Sequence, residues 1–170
     1  ALAVVGNVSV EEVLEVCDAM LKPAPNVKIE RAFEKEERGV VSDYTEYNLA
    51  MSIPVFSFGY KEECAKPKQD LKTIVETNIL LEIIAGNTSR LYNSLFAQGL
   101  INENFSKEYF IGYGYEAVIF DGESENPKEV ANQIKAEVKR LKKEGISDKQ
   151  FEAVRRMLYG KEIMSYNDID

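Results

Sequence analysis

The chain lacks histidine and tryptophan altogether, and its 170 residues include only two cysteines and five prolines. Without histidine, neither an H-E-x-x-H zinc helix nor its inverted H-x-x-E-H form can exist. A serine or cysteine nucleophile activated by a histidine base is excluded for the same reason. A Ser-Lys pair needs no histidine, but no Ser-x-x-Lys stands in a strand-to-helix turn. Cys17 and Cys64 are too few for a disulfide framework and have no metal-ligand spacing. Cys17 falls on the apolar side of a predicted helix as a small hydrophobe. Cys64 falls in a Lys/Glu-rich loop, and a reducing, cytoplasmic setting is expected.

A basic excess is missing too. Lys and Arg number 21 against 29 Asp and Glu, a formal net charge of −8. The cations are interleaved with acids, as in Lys135, Glu137, Lys139, Arg140, Lys142, Lys143 and Glu144. That pattern is a solvated helix face and not a nucleic-acid footprint. No apolar run approaches the roughly 18–20 residues that span a bilayer; the longest, Ile79 to Ala85, is broken by Glu82. No signal peptide is visible. Neither nucleic acid nor membrane is an expected partner.

What is present is an ordinary globular composition, 45% hydrophobic and 29% charged. Residues 1–5 form a continuous apolar run that reads as a buried strand, turned by Gly6-Asn7. Ser9 and Glu12 have capping-box spacing, and Val10, Val13, Leu14, Cys17 and Leu21 give the following helix one apolar face. Val27, Ile29, Arg31 and Phe33 alternate as a strand, and the polar run Glu34 to Arg38 is a turn closed by Gly39. Further strands are expected over Val40 to Tyr47 and Ala50 to Phe58, with Pro54 marking an edge or bulge.

Pro67 opens a long helix to Ala85 that is apolar nearly all round in its second half, and Gly86 stops it. A shorter helix runs from Ser89 to Gln98. Phe105 to Tyr113 and Tyr115 to Phe120 read as a strand pair about Gly114, with Asp121-Gly122 as the exit turn. Asn126 and Pro127 start a helix with Val130, Ile134, Val138 and Leu141 inward. Ser147 and Gln150 open the last one, with Phe151, Val154 and Leu158 inward. Strands in runs and helices in runs predict an α+β fold, a mostly antiparallel sheet with helices packed on one face.

Chemistry-bearing patterns are weak. Asp121, Glu123 and Glu125 could hold Ca²⁺ loosely, but their spacing is not that of an EF-hand and an acidic turn is the simpler reading. Gly112-Tyr113-Gly114-Tyr115 lacks the third glycine and following helix of a dinucleotide fingerprint. Tyr109, Tyr113 and Tyr115 could stack on a ligand, but half-buried strand aromatics are the default reading.

Three stretches, in order and spacing, resemble the second domain of the pitrilysin/insulinase/mitochondrial-processing-type zinc metallopeptidases. They are LAVVGNVSVEEVLEVCDAML, FSFGYK and SRLYNSLFAQGLI; the closing ISDKQFEAVRRMLYGKEI fits as well. The resemblance covers nearly the whole chain. It implies a metallopeptidase-like two-layer domain without zinc ligands or catalytic residues, its zinc lying in a preceding domain of the same chain that carries the inverted His-x-x-Glu-His helix. Two half-units, or a half-unit and a homologous subunit, would close on an unfolded peptide substrate. Residues 1–170 are then one non-catalytic domain taken from a longer chain, no enzyme by itself, with no cofactor of its own. The starting ALAVVGNV and the still-helical ending MSYNDID agree with that expectation. In the half-unit facing the zinc, the family uses an Arg at the end of the helix matching Ser89 to Gln98, and a Tyr at the next strand, to grip the substrate backbone. The matching positions here are Phe96 and Asn102, neither of which supplies an Arg-type charge-assisted bond. The resemblance therefore implies a structural domain that walls the peptide chamber without that clamp. The residues alone would equally allow a stand-alone α+β binding module.

Overall fold

The computed structural model describes residues 2–22, 24–25, 27–30, 32, 37, 39–62 and 70–167. Its contacts divide the chain into two compact units, Phe33–Leu158 and Ala1–Ala32 with Tyr159–Asp170.

The larger unit is built on a three-stranded antiparallel sheet of β1 (Val55–Glu62), β2 (Ser106–Gly112) and β3 (Tyr115–Glu123), in the order β1-β3-β2. β1 starts directly after Pro54, whose missing N–H would interrupt a ladder. In this register Phe56, Phe58 and Tyr60 share one face with Gly122, Phe120 and Val118, and with Lys107 and Tyr109 of β2. Ser57, Gly59, Ile119, Asp121, Glu108 and Phe110 lie on the other face. β1 and β3 approach so closely at Gly59 that a Cβ there would stand 2.6 Å from the Val118 carbonyl oxygen, which is why the FSFGYK motif carries glycine at this point. The β2–β3 hairpin turns at Tyr113-Gly114, where Gly114 has φ +84°.

Helices cover the face that carries Phe56, Phe58 and Phe120. α2 (Leu71–Ala85) starts at the Asp70 cap and stops at Gly86, and it buries Ile79, Leu81, Ile83, Ile84 and Ala85. α3 (Arg90–Ala97) buries Leu91 and Leu95. α4 (Pro127–Glu144) begins at the Asn126 cap, ends at Gly145 and buries Val130, Ile134 and Leu141. Lys135 of α4 lies over the Phe58 ring, 5.2 Å from its centroid. α5 (Asp148–Ser165) opens where the Ser147 hydroxyl accepts from the Gln150 N–H at 3.2 Å, and it contributes Val154 to the core. This is the α+β arrangement expected, an antiparallel sheet with helices on one face.

Several local expectations are corrected. Asp121 and Gly122 continue β3, because their partners Ser57 and Phe56 hold them in the ladder. Phe151 is 40% exposed, so the inward face of α5 is carried by Val154, with Leu158 packed against the core. Residues 40–47 and 27–30 form no strand. Alternation supplies a face for such segments, but a strand also needs a partner strand for its backbone groups; the Tyr44 N–H instead donates to the Ser42 hydroxyl, which donates to the Tyr44 carbonyl. Arg31, Phe33, Glu34 to Glu36, Arg38, Cys64 and Pro67 lie outside the described residues.

In the smaller unit, α1 (Val10–Met20) carries the expected capping box. The Ser9 N–H donates to Glu12 Oε2 at 2.9 Å, and the Ser9 hydroxyl accepts from the Glu12 N–H at 3.2 Å. Residues 2–5, expected as a buried strand, are exposed and in no strand. Among the described residues, no helix is long and apolar enough to cross a membrane.

Candidate functional site

The SRLYNSLFAQGLI motif is explained first by packing. Ser89, 5% exposed, caps α3 by accepting from the Tyr92 N–H at 3.0 Å. Leu91 and Leu95 enter the core, and the Tyr92 ring stacks on Phe96 at 6.0 Å and tilts against Phe105 at 6.1 Å.

Arg90 points the motif toward α4, where Arg90, Leu91, Ser94, Gln133, Glu137 and Arg140 line an open cleft of about 340 Å³. Glu137 is buried there at 8% exposure. Arg140 holds it with a two-pronged pair, Nε to Oε2 at 2.9 Å and Nη2 to Oε1 at 2.7 Å, and also reaches Glu144 at 2.5 Å. The Arg140 bonds keep the Glu137 carboxyl below the usual carboxylate range against the opposing effect of burial, with Arg90 adding positive charge. A folded-state pKa lowered in this way stabilises the fold above the ordinary glutamate pKa of about 4.3, and the contribution fades as pH falls through the folded value. We expect stability to decline on acidification through and below that range, and Glu137→Gln to flatten this part of the profile, read as urea midpoints across pH. Sequence reading treated these residues as a plain solvated face. The i, i+3 and i, i+4 spacing of Glu137, Arg140 and Glu144 was visible, but not the burial that makes one of the acids matter.

The two positions matched to the substrate clamp come together. Phe96, Gly99, Ile101, Asn102, Glu103 and Asn104 line one open depression of about 510 Å³ between the end of α3 and the start of β2. Phe96 is 49% exposed. Asn102 is engaged locally, its amide donating to Glu123 Oε2 at 2.6 Å and its oxygen accepting from the Asn104 N–H at 2.9 Å. The depression therefore presents the Phe96 ring and the Asn102 amide, the latter already bonded to Glu123.

The other sequence candidates separate. Asp121 and Glu123 lie two apart on β3 and pair with different neighbours, Asp121 facing Ser57 and Ser106 while Glu123 holds Asn102. Tyr109 donates to Glu116 across the hairpin, and the Tyr115 ring packs on Phe110 at 5.2 Å. Among the described residues, no group of three or more Cys, Asp or Glu side chains could hold a metal ion. With no imidazole anywhere in the chain, the donor set does not fit a peptidase zinc.

An antiparallel sheet with helices packed on one face defines an α+β domain of two layers. Residues 1–158 match the family description "Peptidase M16 inactive domain", and the chain belongs to that family. It is 28% identical over 142 residues to an uncharacterized zinc protease of Bacillus subtilis (strain 168), YmfH, a match covering 82% of this chain and 33% of that protein. It also superposes on the crystal structure of an M16-like peptidase from Alicyclobacillus acidocaldarius with a TM-score of 0.77 and 24% identity, over 94% of this chain and 38% of that one. The chain thus spans about a third of the first relative's length and 38% of the second's.

Proposed function

We propose that this chain is the structural domain of a zinc metallopeptidase, buttressing a preceding zinc-bearing domain and lending the open face of its sheet to the wall of a peptide chamber. The observation that carries this reading is the membership in the inactive-domain family joined to a sheet whose helix-free face stays open. That face offers Ser57, Gly59, Glu108, Phe110, Ile119 and Asp121 in register, a mixed polar and apolar surface suited to unfolded peptide of varied sequence. The zinc and the chemistry would belong to the preceding domain, with a second half-unit or homologous subunit closing the chamber.

The full-length parent is expected to cleave unfolded peptides in a chelator-sensitive manner, and residues 1–170 alone to cleave none. Turnover by residues 1–170, or a zinc-loaded parent inert toward unfolded peptides, would overturn the proposal. Phe96 and Asn102 do not act as a substrate clamp in this reading. Phe96→Ala in the parent should therefore leave kcat/KM within about twofold, whereas loss of a charge-assisted contact costs roughly tenfold or more.

A further inference from the structure

The cleft between α3 and α4 is held open by a small residue. At the end of α3 the Gln98 and Gln133 amides bond each other reciprocally, at 3.2 and 3.0 Å, and bridge the two helices. One turn back, toward Ser94 and Arg90, α4 presents Ala136, whose methyl group is too short to cross, and the gap of about 340 Å³ remains.

Its walls hold more donors than acceptors. Arg140 uses three of its five N–H groups, two on Glu137 and one on Glu144, so that both Glu137 oxygens are taken. The Ser94 hydroxyl accepts from the Gln98 amide at 2.9 Å and keeps its own proton to give. Arg90, on the α3 wall, makes no hydrogen bond or ion pair with any described residue, and its charge reaches Glu137 only through space. The lining thus sets two guanidinium groups against one carboxylate, leaving one positive charge in a chain whose net charge is −8. Glu144 stands outside the lining with its side chain 55% exposed, where water screens it. Leu91 and Ala136 supply an apolar floor.

We infer that this cleft binds an aliphatic monocarboxylate, its carboxylate between Arg90 and Arg140 and its alkyl part over Leu91 and Ala136. Carboxylate and phosphate both suit paired guanidinium donors, and the charge decides between them. One negative charge balances the lining, whereas a doubly charged phosphate would leave an excess beside the buried Glu137 and be repelled by it. The apolar floor favours an alkyl substituent over a bare ion. A free acid and the C-terminus of a peptide ending in an aliphatic residue carry this same chemistry. The inference stands apart from the proposed function, since it uses the helix layer on the opposite side of the sheet from the open face.

Saturation-transfer NMR on the full-length parent tests it, with N-acetylleucine as probe and N-acetylleucinamide, the same shape without the charge, as its control. A ligand of this size should bind in the millimolar range, and the amide about tenfold more weakly or worse. Arg90→Met should weaken N-acetylleucine by about tenfold or more and leave the amide unchanged. Because Arg90 is exposed and bonds no described residue, the variant should keep the parent's urea midpoint, which shows that it still folds. Carboxylate binding at any zinc of the parent is common to both proteins and drops out of the difference. Butyrate as competitor separates the two sources: displacement at concentrations similar to N-acetylleucine assigns a free acid, displacement only in large excess a peptide C-terminus, and either upholds the site. Four results would overturn the inference: no saturable binding of N-acetylleucine, equal binding of acid and amide, no effect of Arg90→Met, or tighter competition by inorganic phosphate than by butyrate.

Discussion

Phe120→Ala is expected to destabilise the larger unit by about 3–5 kcal/mol, the cost of truncating a fully buried aromatic. Phe120 sits in β3, the strand paired on both sides, and is 1% exposed. Its ring stacks on Phe58 at 6.3 Å, and helices close the face above it. Nothing nearby is free to collapse into the void, because β1 and β2 hold β3 by ladders on either side. Against a typical total stability of about 5–15 kcal/mol this is a large fraction. Phe110→Ala is the matching control, with Phe110 45% exposed on the open face; its cost should stay near 1 kcal/mol or less. Urea unfolding of both variants decides the matter, and equal losses would contradict the assignment of faces.

The second large effect concerns an ion pair. Lys107 lies on the helix-facing side of β2, where its ammonium meets Glu82 Oε1 of α2 at 3.0 Å. The two side chains are 18% and 12% exposed, so the pair is mostly dry. Breaking a dry pair from one side strands a charge, and Glu82→Gln should cost about 2–3 kcal/mol, somewhat less than full burial would demand. Adding Lys107→Met removes the stranded charge and should restore much of the loss. A double-mutant cycle measures the coupling; additive losses would show that the pair contributes nothing of its own.

The elements legible in the sequence were those closed by nearby residues. Ser9 with Glu12, Asn126 with Pro127, Ser147 with Gln150, and the stop at Gly86 all act where spacing placed them. Each cap is a bond between a side chain and a backbone group within one turn, so a linear reading can find it. The candidate site was legible in part. The family-like motifs located Phe96 and Asn102, but not that they share one depression, nor that Asn102 is held by Glu123. The Glu82–Lys107 pair had no signal at all, since nothing about two charges distant in sequence announces that a helix and a strand will bring them together.

By itself, the sequence determined that this chain cannot assemble a histidine-based active site, that its fold is α+β, and where four of its helices begin or end. Those are matters of composition and of hydrogen bonds made within a few residues. Only the tertiary structure decided which apolar runs become strands. The FSFGYK run entered a ladder because β3 lay beside it, whereas residues 2–5 and 40–47, as apolar or as well patterned, did not. A strand's hydrogen bonds are made to another segment, so pairing is a property of the folded chain and its partners and cannot be read from the segment alone.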